Sequence, residues 1–124
     1  MGLSATDEAA ILNALLRGTA YSGHASLYLG LHTGSPGADG TANELSYSGY
    51  VRQPITFAEA DASGSVNDID AVYAEAPETI GNITYFSLHT AATGAAMVFT
   101  GTLTGNVLEA RKLPKVPAGF ILIQ

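Results

Sequence analysis

Two stretches of this chain nearly repeat each other, and in both of them apolar residues alternate with other types. The first reads YLGLHT at 28–33 and the second reads YFSLHT at 85–90. Successive side chains of a β-strand point to opposite faces of the sheet, so the large apolar residues of each stretch should line one buried face. These residues are Leu29, Leu31, Phe86 and Leu88. The repeat predicts a β-protein in which both strands are central and similarly placed.

Glycine- and proline-rich turns separate further strand candidates along the chain. We predict seven strands, at about 26–33, 50–57, 66–73, 82–90, 95–101, 106–113 and 119–124. Short strands broken by such turns favour a mainly β fold, either an antiparallel β-sandwich or a small barrel. Pro54 cannot donate a ladder hydrogen bond, which predicts an edge strand or a bulge around it.

One N-terminal α-helix is predicted before the strands, at about 6–17. Ser4 or Thr6 is its N-cap, and Gly18 ends it. Large apolar residues follow one side of this helix. We name them the helix stripe: Ile11, Leu12, Leu15 and Leu16. Because a helix of about twelve residues is only marginally stable in water, the helix stripe should dock on a core or on a partner.

Two other segments are open to more than one interpretation. Residues 34–49 contain only Leu45 and Tyr47 as large apolar groups, so this long loop is the best candidate for a flexible or interface-forming segment. The run 120–123 consists of large apolar residues. It should be either a strand buried on both faces or a strand added to the sheet edge of a neighbouring subunit.

Composition and charge limit the possible partners. The 124 residues fit one β-domain over 1–124, and 13% of them are charged, against about 25% in average domains. A surface with few charges favours burial against another protein. The net charge of −6 argues against partners such as nucleic acid or an anionic membrane. The one basic cluster fits a solvated loop or a salt-bridging patch, and it consists of Arg111, Lys112 and Lys115.

The sequence lacks the features that are typical of disulfide bonds, of a signal peptide and of a membrane-spanning segment. It has no cysteine, which excludes disulfides and thiolate metal sites. The N-terminal segment lacks the charge order of a signal peptide, and no apolar run reaches the roughly 20 residues of a membrane span. We expect a chain that is made and kept soluble without export.

Histidines and acidic residues are the candidates for chemistry. His32 and His89 hold equivalent positions on the face opposite the leucines, where they could approach and bind a metal, but plain surface positions are the simpler expectation. His24 lies in a turn without a predicted partner. Four acidic residues offer oxygen ligands for calcium, but their spacing better fits a solvated hairpin. They are Glu59, Asp61, Asp68 and Asp70. We predict no catalytic residue, no metal and no cofactor, and therefore no enzyme.

Several blocks of the sequence carry a family resemblance. They are residues 12–21, 27–33, 43–46, 49–57, 80–86, 94, 99–104 and 117–119. The most specific of them is GYVRQ at 49–53. In these blocks the chain resembles small structural proteins of tailed bacteriophages, a group with tail-fibre, minor structural and capsid decoration (cement) proteins. Ile80 occupies a position where the family pattern has a tryptophan, and this difference affects side-chain packing.

The resemblance implies a virion structural protein, assembled in the host bacterial cytoplasm and then placed on the particle exterior. A compact acidic domain with few charges favours a capsid decoration protein. Its partners would be the major capsid protein and copies of itself in a homo-oligomer, with capsid stabilisation as the result. The alternative is a tail or tail-fibre component that is involved in host attachment.

Eight residues are predicted to contact partners. They are Ile11, Leu12, Leu15, Leu16, Leu45, Tyr47, Tyr50 and Arg52. For the helix stripe and for Tyr50, the alternative is the chain's own core. Arg52 is a lone charge among apolar neighbours, which predicts a buried or interfacial carboxylate as its partner.

Overall fold

The part of the chain that the structure describes contains one helix followed by eight strands, joined by loops. A computed structural model describes residues 3–77, 81–94, 96–108 and 114–123. The elements are α1 (Ala5–Arg17), β1 (Leu27–His32), β2 (Gln53–Ile55), β3 (Ser65–Val66), β4 (Ala71–Val72), β5 (Gly81–His89), β6 (Met97–Leu108), β7 (Lys115–Val116) and β8 (Leu122–Ile123). All of the strand pairs are antiparallel.

The two repeated stretches form neighbouring strands in the middle of a four-stranded sheet. Its order is β2-β1-β5-β6. The register places Leu29 opposite Leu88 and Leu31 opposite Phe86, and all four side chains are buried. The predicted central position and the predicted buried face are both confirmed, because the alternation that suggested them is the pleat of the sheet itself.

Two short ribbons, β3-β8 and β4-β7, complete the strand topology. Sheet and ribbons contribute to one hydrophobic cluster: Leu29, Leu31, Leu45, Ile55, Ala71, Tyr73, Ile83, Phe86, Leu88, Leu103, Val116 and Ile121. The described strands do not close into a barrel, so the mainly β, sandwich-type alternative with an N-terminal helix is the one observed. The single domain over 1–124 stays a prediction.

Helix α1 begins one residue earlier than predicted, and Ser4 is its N-cap. The Ser4 Oγ accepts a hydrogen bond from the Asp7 N–H at 3.2 Å. Gly18 ends the helix in the left-handed region, with φ of 68°, and its N–H donates to the carbonyl of Asn13. Within the described ranges, no helix has the length and apolar character that a membrane span needs.

The predicted strand at 66–73 is wrong, because the chain breaks there into β3 and β4. The Asn67 side chain is buried at the break and donates to the carbonyl oxygens of Ile69 (3.1 Å) and Pro117 (2.9 Å). Its Oδ1 accepts from the Ile121 N–H at 2.8 Å. The segment is therefore bent around an amide side chain, and each ribbon keeps only two residues of strand on this side.

Other strand limits also differ from the prediction. The candidates at 95–101 and 106–113 belong to one continuous strand, β6, which pairs with β5 through two irregularities in register. The remainder of the second candidate, 109–113, lies outside the described residues, together with Arg111, Lys112 and the family departure at Ile80. Strand β7 was not predicted. Pro54 lies in the edge strand β2, as predicted.

The C-terminal strand is buried on one side only, so the prediction of burial on both faces is wrong. Ile121 is 2% exposed, but Phe120 and Leu122 are 41% and 49% exposed. Strand β8 pairs with the chain's own β3 in a two-stranded ribbon, which covers a single face.

The acidic segment forms the hairpin that its spacing favoured. Asp61 and Gly64 exchange both backbone hydrogen bonds at 3.0 Å, and the Asp61 carboxylate accepts from the Ser63 N–H at 2.8 Å. Asp68 accepts from the Thr56 hydroxyl, on the facing arm of the hairpin. These carboxylates are thus engaged within the chain.

Candidate functional site

Helix α1 turns its small residues toward the rest of the chain and its large apolar residues outward. Asp7 is buried, and Ala10 and Ala14 are half-buried. The exposed fractions in the helix stripe are 37% for Ile11, 46% for Leu12, 76% for Leu15 and 74% for Leu16. The prediction that the helix stripe docks on the chain's own core is therefore wrong. The contact with a partner stays a prediction.

Asp7 connects the inward-facing side of α1 to the segment that follows the helix through hydrogen bonds. Its carboxylate accepts a hydrogen bond from the Tyr21 hydroxyl at 3.3 Å and lies 2.8 Å from His24 Nε2. Burial raises the pKa of Asp7, but the hydrogen bonds from His24, Ser4 and Tyr21 outweigh burial and hold it below its ordinary value. The sequence predicts no partner for His24, and the structure supplies one in Asp7, which lies 17 residues away on the helix.

The loop 34–49 is bonded to the end of β1. The Leu45 N–H donates to the Leu31 carbonyl at 3.0 Å, and the Thr33 N–H donates to the Asn43 carbonyl at 3.1 Å. The Leu45 side chain is 7% exposed and joins the hydrophobic core. These contacts make the loop an ordered part of the fold and count against the flexible alternative.

Beneath this loop, two histidines and a serine form a continuous chain of hydrogen bonds. His32, His89 and Ser87 are all 0% exposed. His32 Nδ1 lies 2.8 Å from the Ala42 carbonyl, which can only accept, so Nδ1 carries the proton and Nε2 accepts from the Ser87 hydroxyl at 2.8 Å. His89 Nε2 in turn donates toward Ser87 Oγ (2.9 Å) and the Gly40 carbonyl (3.1 Å). The pattern fits two neutral imidazoles.

The expected surface position of these histidines is wrong. They lie on the face opposite the leucines, as predicted, but the loop covers that face. Both Nε2 atoms point at the Ser87 hydroxyl, and within the described part of the chain no group of three or more metal-binding side chains is gathered. His89 Nδ1 is buried and has no hydrogen-bond partner among the residues that the structure describes. The cluster therefore joins loop to sheet and offers no surface to a ligand.

Protonation would break this chain of hydrogen bonds, so the protein should lose stability in mild acid. Burial lowers the pKa of His32 and of His89 below the ordinary value. The unfolded chain, with histidine pKa values of about 6.5, then binds more protons than the folded chain just below that pH. The contribution to stability is complete above about pH 6.5 and is lost as the pH falls through the lower folded pKa values.

This pH dependence can be measured by urea unfolding between about pH 7.5 and 5, above the range in which carboxylates titrate. We expect the free energy of unfolding to decline below about pH 6.5. A His32→Gln/His89→Gln double variant cannot titrate at these positions and should show a smaller decline from its own starting value. An unchanged decline in the double variant would assign the effect to other groups.

Arg52 is buried in a bidentate ion pair next to the histidine cluster. Its Nε and Nη2 donate to the two carboxylate oxygens of Glu44, both at 2.8 Å. The Tyr50 hydroxyl donates to the same carboxylate at 2.8 Å and accepts from the Leu31 N–H at 3.1 Å. Burial raises the pKa of Glu44, but the hydrogen bonds from Arg52 and Tyr50 outweigh burial and lower it. The predicted carboxylate partner of Arg52 is thus Glu44 of the same chain.

Gly30 leaves the space in which the histidine cluster and the ion pair approach each other. A Cβ at this position would lie 2.7 Å from Ser87 Oγ and 2.9 Å from Glu44 Oε2. A side chain there would collide with both groups. The histidine cluster (His32, Ser87 and His89) and the Arg52–Glu44 ion pair therefore form one buried polar layer on the face of β1 opposite the core.

Of the eight predicted contact residues, the structure leaves the helix stripe exposed and places the other four largely in the chain's own fold. Leu45 and Arg52 are buried, while Tyr47 and Tyr50 are half-buried. The Tyr47 hydroxyl donates to the Ala74 carbonyl at 2.6 Å. Among these eight residues, the helix stripe is therefore the group with apolar surface to offer a partner. A contact role for the other four stays a prediction.

Sequence analysis missed three residues of the polar layer and its surroundings. Ser87 links the histidines, Glu44 neutralises Arg52, and the Tyr73 hydroxyl donates to the buried Leu29 carbonyl at 2.7 Å. A signal existed for Ser87, because it lies on the same strand face as His89, two residues away. Tyr73 stacks on Tyr50 with ring centroids 5.7 Å apart, and no pattern in the sequence predicts this contact.

Comparison with protein families matches residues 2–123 to the family described as Gp80, podophage GP4 fiber I protein gp80. The match includes every block that carried the resemblance to phage structural proteins. Among functionally curated proteins, none matches the chain significantly. A family match over nearly the whole length establishes membership, and the family description names a fibre. The chain therefore belongs to the podophage fiber I protein gp80 family and is a structural protein of the phage virion.

Proposed function

We propose that this chain is a component of a phage tail fibre and takes part in host attachment. The observation that carries the proposal is the match of residues 2–123 to a family described as a fiber protein. Sequence analysis favoured capsid decoration on the basis of low charge and compact size. Those two features suit a subunit buried among other virion proteins in either location. The family description, which names a fibre, supports the tail.

The geometry supports a structural role in which the chain is held by other proteins. The polar groups of the buried layer, apart from His89 Nδ1, bond to one another or to nearby backbone, and His32, Ser87 and His89 are closed to solvent. A shallow groove of about 350 Å³ opens beside Glu44 and Arg52, but these two charges already neutralise each other. The most exposed large apolar side chains among the described residues are instead Leu15 and Leu16 of the helix stripe. The absence of enzyme activity stays a prediction, as does assembly in the host cytoplasm.

Labelling of intact particles tests the location. Antibodies against this chain, carrying gold, should bind at the tail of particles viewed by electron microscopy. Particles that lack the chain provide the control for non-specific binding. Labels spread over the icosahedral shell would contradict the fibre proposal and support capsid decoration.

Loss of the chain tests the role in attachment. Particles assembled without it should adsorb poorly to host cells while their resistance to heat stays unchanged, because the shell does not depend on the fibre. Supplying the chain during assembly should restore adsorption. Normal adsorption combined with a loss of heat resistance would overturn the proposal.

A further inference from the structure

We propose that residues 34–43 form a lid that opens in mild acid, before the rest of the chain unfolds, and exposes the histidine cluster to water. The proposal concerns a local movement within the fold and holds whether the chain lies in the tail or on the shell. It depends on three observations. The lid is bonded within itself, buried histidines hold it to the sheet, and the charges near these histidines do not offset the cost of burying a proton on them.

The internal hydrogen bonds of the lid allow it to move as a unit. The Ala42 N–H donates to the Pro36 carbonyl at 2.9 Å. The Asn43 side-chain amide donates to the Ser35 carbonyl, also at 2.9 Å. Pro36 and Gly40 are buried, and the other eight residues of the lid are half-buried or exposed. A segment that buries so few side chains opens at a low cost in free energy.

Two buried histidines hold the lid to the sheet. His32 Nδ1 donates to the Ala42 carbonyl at 2.8 Å, and His89 Nε2 donates toward the Gly40 carbonyl at 3.1 Å. A Cβ at Gly40 would lie 2.8 Å from Met97 Cγ and 3.0 Å from His89 Cε1, so the backbone of the lid lies directly on these side chains. Displacement of the lid therefore admits water to both imidazoles while β1 and β5 stay paired.

The charged groups around the histidines do not favour a proton on either ring while the lid is closed. Burial has the largest effect on the pKa of His32 and of His89, and it lowers both values more than the hydrogen bonds to the lid carbonyls raise them. Arg52 lowers both pKa values further and Glu44 raises them, but these two charges form an ion pair. Asp39 of the lid also attracts a charged His89, but its carboxylate is exposed, so solvent and salt screen it.

Opening of the lid is therefore coupled to protonation. When water reaches the imidazoles, their pKa values rise to about 6.5, so the open state binds more protons than the closed state below that pH. The closed state keeps its full advantage above about pH 6.5 and loses it as the pH falls through its own lower pKa values. Leu45 is buried in the core just beyond the lid and limits the movement to residues 34–43. Because the core stays intact, this opening costs less than global unfolding.

Amide hydrogen exchange of the full-length chain, followed by NMR and expressed as protection factors, tests the proposal. The Thr33 N–H donates to the Asn43 carbonyl at 3.1 Å, so it exchanges when the lid lifts. The amides that pair β1 with β5 in the middle of the sheet report on global unfolding. At pH 7.5 we expect Thr33 to be less protected than these amides. Between pH 7.5 and 5.5 its protection factor should fall at least about threefold.

Dilute urea separates local opening from global unfolding. Lifting of the lid exposes little surface, so the protection of Thr33 should stay nearly constant, whereas that of the β1–β5 amides should decline. Equal protection of Thr33 and these amides at every pH and urea concentration would overturn the proposal. A protection factor of Thr33 that does not change with pH would do the same.

Histidine variants identify the groups that titrate. The His32→Gln/His89→Gln double variant keeps polar side chains but cannot take up these protons, so the pH dependence of Thr33 protection should disappear. His24→Gln is the matched control, because His24 contacts Asp7 on α1 and its replacement should leave this pH dependence unchanged. A double variant that is folded by circular dichroism and keeps the full pH dependence would contradict the proposal, as would an equal effect of His24→Gln.

Discussion

Replacing Arg52 with alanine is expected to lower the free energy of unfolding by about 3–5 kcal/mol, because it leaves a carboxylate without its cation in the interior. The side chains of Arg52 and Glu44 are 4% and 16% exposed, and the pair is bidentate. Urea unfolding followed by circular dichroism measures the loss. An Arg52→Lys variant keeps the charge but lacks the planar fork, so its loss should be intermediate.

The exposed ion pair between Lys115 and Asp70 provides the matched control. Its atoms lie 3.4 Å apart, and the side chains are 54% and 49% exposed. Solvent screens such a pair, so Lys115→Ala should leave the free energy of unfolding nearly unchanged. Similar losses for Arg52→Ala and Lys115→Ala would show that burial of the Glu44 pair has no energetic consequence.

Replacing Phe86 with alanine is expected to cost about 3–5 kcal/mol of stability, because it removes a buried ring and leaves a cavity. Phe86 is 4% exposed, and its ring stacks on Phe99 with centroids 6.1 Å apart. The ring also fills the space beside Gly101, where a Cβ would lie 2.6 Å from Phe86 Cε1.

Phe120→Ala is the control for this prediction. Phe120 is 41% exposed, next to the C-terminal ribbon, and its truncation should change the free energy of unfolding by no more than about 0.5 kcal/mol. Thermal and urea unfolding of both variants provide the comparison. If Phe120→Ala costs as much as Phe86→Ala, the core does not lie on the face that the repeated strands indicate.

Much of the strand framework could be predicted because it depends on neighbours in the sequence. Alternation of side chains along a strand identified the buried face of β1 and β5, and Pro54 identified an edge. The ends of α1 were predictable for the same reason. Ser4 and Gly18 act on backbone groups within a few residues of themselves.

The polar layer could not be predicted, because its partners are distant in sequence. His32 and Ser87 are 55 residues apart, and their contact exists only because β1 and β5 pair in one particular register. Arg52 was expected to need a carboxylate, but several acidic residues were available to it. The path of the loop brings Glu44 to Arg52 and places the loop over both histidines.

The amino-acid sequence by itself determined which residues share a face: the leucine side of the repeated strands and the apolar side of α1. It did not determine which way each face points. Periodicity is a property of local backbone geometry, whereas the direction of a face depends on what the rest of the chain brings beside it. The sheet face received a core from the ribbons, and the helix turned its small residues inward and its leucines to the outside.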